Sequence, residues 1–224
     1  MPVIVIASPK GGAGKSTTAV ILGTELAQAG AQVTMMDCDP NQSLSLWSQR
    51  SALPDRMRLV SDLTEASIIK SIKECDEDGA LVVVDLEGVA SRLVSRAISQ
   101  ADLVIIPMRP TTLDANIGVR ALALIAEEEE ALSREIPHCV VFTMTSAIQP
   151  RSQAAIEESL IGQGVDVVKP YLMQRAAYAA LFEFGGNLRT IPAQGNMQSA
   201  QENAQGFAQA VFARLTRKSG EQGA

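Results

Sequence analysis

The chain has 224 residues, of which 46% are apolar and 20% charged, so it is rich enough in aliphatic side chains to close a core and too apolar to stay disordered. No apolar run nears the roughly 18 residues that span a bilayer, and no basic stretch precedes a long apolar one at the N-terminus, so a cytoplasmic protein is expected. The net charge of −6 excludes a protein that coats nucleic acid by bulk charge, and three scattered cysteines (Cys38, Cys75, Cys139) with a single His138 exclude a disulfide framework and a histidine-based metal site.

Short β-branched runs bounded by turn signals predict strands at 3–7, 31–37, 80–85, 101–107, 139–144 and 165–169. They are apolar throughout rather than alternating, as central parallel strands covered on both faces must be. Segments of helical length and period lie between and after them, at 15–29, 42–50, 64–76, 91–99, 113–133, 151–162, 174–184 and 198–217. The alternation predicts an α/β fold: a single-domain, doubly wound, mostly parallel sheet with helices on both faces. Residues 1–218 form that domain, and the polar stretch 219–224 is expected to fray.

The chemistry is concentrated directly after the first strand, where the chain reads Ser8-Pro9-Lys10-Gly11-Gly12-Ala13-Gly14-Lys15-Ser16-Thr17. A strand-to-helix turn at this point of an open α/β sheet is where ligands bind. The glycines free the backbone to aim its N–H groups at phosphate oxygens, and the helix that follows adds its positive end. Lys15 supplies a point charge for the β and γ phosphates, and the Ser16 hydroxyl is placed to ligate Mg²⁺. The usual G-x-x-x-x-G-K-[ST] pattern fails at its first glycine, which is Pro9, while Lys10 stands before two glycines. A dinucleotide-binding turn fits less well, because the third glycine of that fingerprint is Thr17 here.

Lys10-Gly11-Gly12-Ala13-Gly14-Lys15-Ser16-Thr17 resembles the deviant Walker A motif of the ParA/MinD family of P-loop ATPases. Asp37-Cys38-Asp39-Pro40-Asn41-Gln42 resembles the family's switch I with one Asn inserted, and Val82-Val83-Val84-Asp85 its Walker B strand. Val104 to Pro107, followed by Thr111 to Asp114, resembles the strand and loop after that; Arg175 with Gly185-Gly186 is a weaker match. The likeness covers about residues 1–120, and the length is similar to the small plasmid-partition members that lack an N-terminal helix-turn-helix. The resemblance implies ATP and Mg²⁺ as cofactors, with residues Lys10 to Thr17 on the nucleotide. It implies that Lys10 reaches the partner's phosphates across an ATP-sandwiched homodimer, that Asp39 orients the attacking water, and that Asp39 and Asp85 hold Mg²⁺ through water. Leu86-Glu87-Gly88 departs from the family's T-P-P or T-P-G after the Walker B aspartate, and the Asn that contacts adenine is absent from Phe142 to Thr145.

The resemblance further implies a positioning ATPase that binds DNA without sequence preference in its ATP state, so that it associates with the nucleoid. A ParB-like or cargo-adaptor partner would stimulate hydrolysis and release it. The cations expected to meet DNA are Arg189, Arg214, Arg217 and Lys218, because residues 169–218 hold six cations against two anions while the rest of the chain is acidic. A membrane partner is not expected, since the tail is polar and acidic. A MinD-like membrane-surface regulator and a metabolic or cofactor-assembly enzyme on the same scaffold remain the alternatives. Trp47 and Cys38 are read as core residues.

Overall fold

The computed structural model describes residues 2–77, 79–88 and 91–221, apart from the side chains of 76, 77 and 217–221. In chain order the elements are β1 (Val3–Ile6), α1 (Lys15–Gln28), β2 (Val33–Cys38), α2 (Ser43–Ser48), β3 (Met57–Val60), α3 (Ile68–Glu77), β4 (Leu81–Leu86) and α4 (Arg92–Ile98). There follow β5 (Leu103–Met108), α5 (Thr112–Leu132), β6 (His138–Thr145), α6 (Arg151–Gly162), β7 (Leu172–Met173), α7 (Ala176–Phe184) and α8 (Met197–Glu221). The seven strands form one parallel sheet in the order β3-β2-β4-β1-β5-β6-β7.

Two apolar layers hold the sheet between helices, and the strand period of two sorts side chains between them. Ile4 and Ile6 of β1 face α1, α7 and α8, where Ile21, Leu181, Phe207 and Val211 are buried. Val3 and Val5 face α3 to α6, against Ile68, Val94, Ile125 and Leu160. Central strands buried on both faces explain why the runs are apolar without a break. Helix α8 buries Ala200, Ala204, Phe207, Ala208, Val211 and Leu215 in one stripe, the spacing of a core-facing helix.

Two strand assignments change. Residues 165–169 do not form a strand: only Val167 bridges to Val140, and the ladder beside β6 is instead the two-residue β7. The strand β3 was not expected, because Met57-Arg58-Leu59-Val60 sits on the sheet edge, half-exposed and without an unbroken apolar run. At the C-terminus α8 continues to Glu221, three residues into the stretch expected to fray, and residues 222–224 lie outside the described residues.

The order of strands fixes where a ligand can enter. The chain moves outward from β1 to β2 and β3, returns to insert β4 beside β1, and then crosses to β5 on β1's other side. The loop after β1 therefore opens into the crevice flanked by the carboxyl ends of β4 and β5.

Candidate functional site, a phosphate-binding loop with two lysines

The loop Ser8 to Gly14 leaves β1 and turns into α1 at Gly14, which caps the helix with no side-chain hydrogen bond. Gly12 and Gly14 have φ of 71° and 88°, conformations that strain any residue with a Cβ. The first N–H groups of α1 are thus left facing the loop, where an anion can take them. Two side chains brace the outside. Thr143 donates its hydroxyl to the Ala13 carbonyl at 2.8 Å, and Arg109 donates Nη2 to the Gly12 carbonyl at 3.2 Å.

The two lysines point different ways. Lys15 is buried and turns back across the loop, donating Nζ to the Lys10 carbonyl at 3.3 Å. A Cβ on Gly88 would stand 3.3 Å from that ammonium, so the departure Leu86-Glu87-Gly88 brings a glycine against the loop lysine. Lys10 is drawn away from the loop: its ammonium pairs with the carboxylate of Asp114, whose side chain is only 3% exposed. Thr111 orients that carboxylate by donating Oγ1 to Asp114 Oδ2 at 2.7 Å and accepting from the Asp114 N–H at 3.1 Å.

Three aspartates complete the floor. Asp37 is buried at the end of β2 and clamps the start of α2, its Oδ2 accepting from the Ser45 N–H at 2.8 Å and the Ser45 hydroxyl at 2.9 Å. Its Oδ1 accepts from the Asp39 N–H at 3.3 Å. Asp39 itself is half-buried, with Oδ1 accepting from the N–H and the side-chain amide of Asn41, both at 2.8 Å. Asp85 is wholly buried at the end of β4, and neither of its carboxylate oxygens has a hydrogen-bond partner. Burial pushes its carboxyl up to about 7, while the Ser16 hydroxyl and the Lys15 charge pull the other way. A buried carboxylate with both oxygens unpartnered, near a helix-terminal hydroxyl, suits a hard cation with oxygen ligands. Cys38, between Asp37 and Asp39, is a buried thiol pushed up to about 12, first by burial and then by the Asp37 charge.

A cavity of 430 Å³ lies beside the loop. It is lined by Gly14, Thr17 and Thr18 on one side, by Thr143 and Met144, by residues 172–175, and by Ala176, Tyr178 and Ala179 in the first turn of α7. Asp114 was missed as Lys10's partner, although Thr111-Thr112-Leu113-Asp114 carries a visible signal, a Thr followed three residues on by an acid at a helix start.

The family model described as VirC1 protein matches residues 1–211. A relative called Protein ParA from Rhizobium radiobacter is 61% identical over 96% of this chain and 98% of its own length. The chain belongs to the ParA/MinD-like P-loop ATPases. This is a family of partition and positioning ATPases. Protein virC1 of Rhizobium rhizogenes is 26% identical over 90% of this chain and 94% of its own. An ATP complex of a Cyanothece McdA variant superposes with a TM-score of 0.74 at 19% identity, covering 95% of this chain and 96% of that one, which shows the shared P-loop fold.

In this ParA-family chain the C-terminal cations are engaged differently from the expectation of a free basic face. Arg189 forks onto Glu25 of α1 at 2.7 and 3.0 Å, and the Glu25 side chain is 3% exposed. Arg214 forks onto Asp166 at 2.5 and 2.8 Å and also donates to the Ala210 carbonyl. Both guanidiniums thus tie α8 and its approach to the rest of the molecule. The side chains of Arg217 and Lys218 lie outside the described residues.

Proposed function

We propose that two copies of this chain close around two ATP molecules, bind DNA without sequence preference in that state, and separate when a partner protein stimulates hydrolysis. In this reading Lys10 to Thr17 hold the triphosphate, with Lys15 on the β and γ phosphates. Ser16 would hold Mg²⁺ directly and Asp85 and Asp39 through water, the metal supplying charge neutralisation to the transferring phosphoryl group, and Asp39 orients the attacking water. The nucleoside half occupies the 430 Å³ cavity between α1 and the start of α7. The 61% identical relative called Protein ParA supports partition as the task.

One observation carries the proposal: the loop holds two lysines, and only Lys15 is turned inward. A loop that used both on its own phosphates would aim both at its centre. Lys10, held at the rim by Asp114, is instead positioned to be transferred to a second molecule, so hydrolysis becomes conditional on dimerisation. Exchanging Asp114 for phosphate keeps the ammonium paired in both states, which lowers the desolvation cost of the swap.

Lys10→Ala tests this. Gel filtration with a non-hydrolysable ATP analogue should show wild type as a dimer and the variant as a monomer, and turnover should fall on the order of a hundredfold or more, as for cations supplied in trans to phosphoryl transfer. Normal dimerisation with normal turnover would remove the sandwich.

A further inference from the structure

The only tryptophan of the chain, Trp47, is 1% exposed on α2, ten residues beyond Asp37 near the end of β2. It does more than fill space. Its indole N–H donates to the Gly186 carbonyl at 3.1 Å, immediately after α7, and Arg50 at the end of α2 donates Nη1 to the Glu183 carbonyl at 3.3 Å. The two backbones touch as well. A Cβ on Gly185 would lie 2.9 Å from the Ser51 nitrogen and 2.9 Å from the Arg50 Cβ, distances that real side chains do not show, and Gly185 has φ of 73°. Helix α2 and the turn after α7 are therefore clasped together by two hydrogen bonds and a glycine contact that admits no side chain.

Each side of the clasp ends at a different part of the site. On the α2 side, Ser45 holds Asp37 through two hydrogen bonds, and Asp37 accepts from the Asp39 N–H. On the α7 side, the first turn of the helix lines the cavity beside Gly14, Thr17 and Thr18. Helix α7 spans nine residues, so the cavity and the clasp lie about 13 Å apart along one rigid rod.

We infer that Trp47 and Gly185-Gly186 couple the filling of the nucleoside cavity to the placement of Asp39, making Trp47 a positioning residue for hydrolysis. The inference rests on the proposed function and adds a route within it. Filling the cavity fixes the first turn of α7, α7 carries that restraint to Gly186, the clasp passes it to α2, and Ser45 delivers it to Asp37 and Asp39. ATP bound by its phosphates alone would leave Asp39 less restrained than ATP bound at both ends. The coupling needs no displacement of the sheet, because α2 and α7 lie on the same face and meet directly.

Trp47→Phe keeps a buried ring and removes the N–H, and Arg50→Ala removes the second bond from an exposed position where folding is not at risk. Each should lower ATP turnover per folded molecule about fivefold, the effect of one hydrogen bond on an equilibrium, while changing the calorimetric affinity for ATP and ADP less than about twofold. In the wild type, the Trp47 emission should change on adding ADP, which fills the cavity and leaves the γ-phosphate position empty. Wild-type turnover in both variants, or Trp47 emission unmoved by ADP that calorimetry shows to be bound, would overturn the coupling and leave the proposed function standing. A variant that loses thermal stability but turns over normally once folded would reduce Trp47 to packing and overturn it equally. Failure of the wild type to bind ATP or ADP at all would remove the proposed function and this coupling together.

Discussion

Single residues in this chain are costly in the nucleotide-free protein, and Asp85 is the clearest case. A wholly buried carboxylate whose two oxygens lack a hydrogen-bond partner carries a desolvation penalty that the nearby Ser16 hydroxyl and Lys15 charge offset only in part. Asp85→Asn removes the charge and keeps the shape. The free variant should therefore melt higher than wild type, by an amount corresponding to about 1 kcal/mol, while Mg²⁺-dependent hydrolysis is lost. Thermal melts without nucleotide and turnover with Mg·ATP check both halves, and a variant that melts lower would mean that Asp85 has a structural partner. Most of these residues were legible in the sequence, because Lys15, Ser16 and Asp39 follow strands at short spacing and Asp85 ends the apolar run of β4. Asp114 and Arg109 were less so. They reach the loop from the end of β5 and the start of α5, and their meeting with Lys10 and Gly12 depends on β5 lying next to β1, which no local pattern states.

At the scale of elements, the loop and helix α1 act as one unit whose geometry depends on Gly14. Its φ of 88° is left-handed, and a Cβ there would stand 3.4 Å from the side chain of Thr143 on β6. Gly14→Ala should cost about 1–2 kcal/mol from the backbone alone, since the added Cβ would meet Thr143 only in ordinary contact. Nucleotide affinity should then fall about tenfold or more as the loop N–H groups lose their convergence, with calorimetry as the measurement. Affinity at the wild-type level would show that the loop tolerates another path into α1. Element type was readable wherever burial on both faces made the apolar run continuous, as in β1, β4 and β5. It failed at the two margins, for opposite reasons. The edge strand β3 lacks the full burial that writes such a run, and 165–169 has the run because Val165, Val167 and Val168 are buried, yet bridges β6 at Val167 only.

For the whole molecule, the proposed function requires an acidic chain to meet DNA. Non-specific affinity comes from cations that neutralise phosphates and release counterions, so an arginine already forked onto a carboxylate contributes little. Arg189 and Arg214 are both so engaged, with Glu25 and Asp166. Composition counted these cations correctly, but a count carries no information on which carboxylate folds against each. The two variants should therefore act mainly on stability. Arg189→Ala leaves Glu25 nearly buried without its partner and should cost about 2 kcal/mol, below the figure for fully enclosed pairs because the arginine side chain is itself 35% exposed. Arg217→Glu with Lys218→Glu tests the C-terminal segment as a DNA face. With ATP present, that double variant should bind duplex DNA more weakly and with a shallower salt dependence, since each cation removed from the contact lowers the slope of log affinity against log salt by about 0.9. The effect should be larger in the dimer than in the monomer, because two copies present the segment twice at high effective concentration. Dimerisation with the ATP analogue should be untouched. If the double variant shifts DNA at wild-type concentrations and with the wild-type salt slope, the DNA face lies elsewhere on the molecule and the C-terminal cations serve the fold.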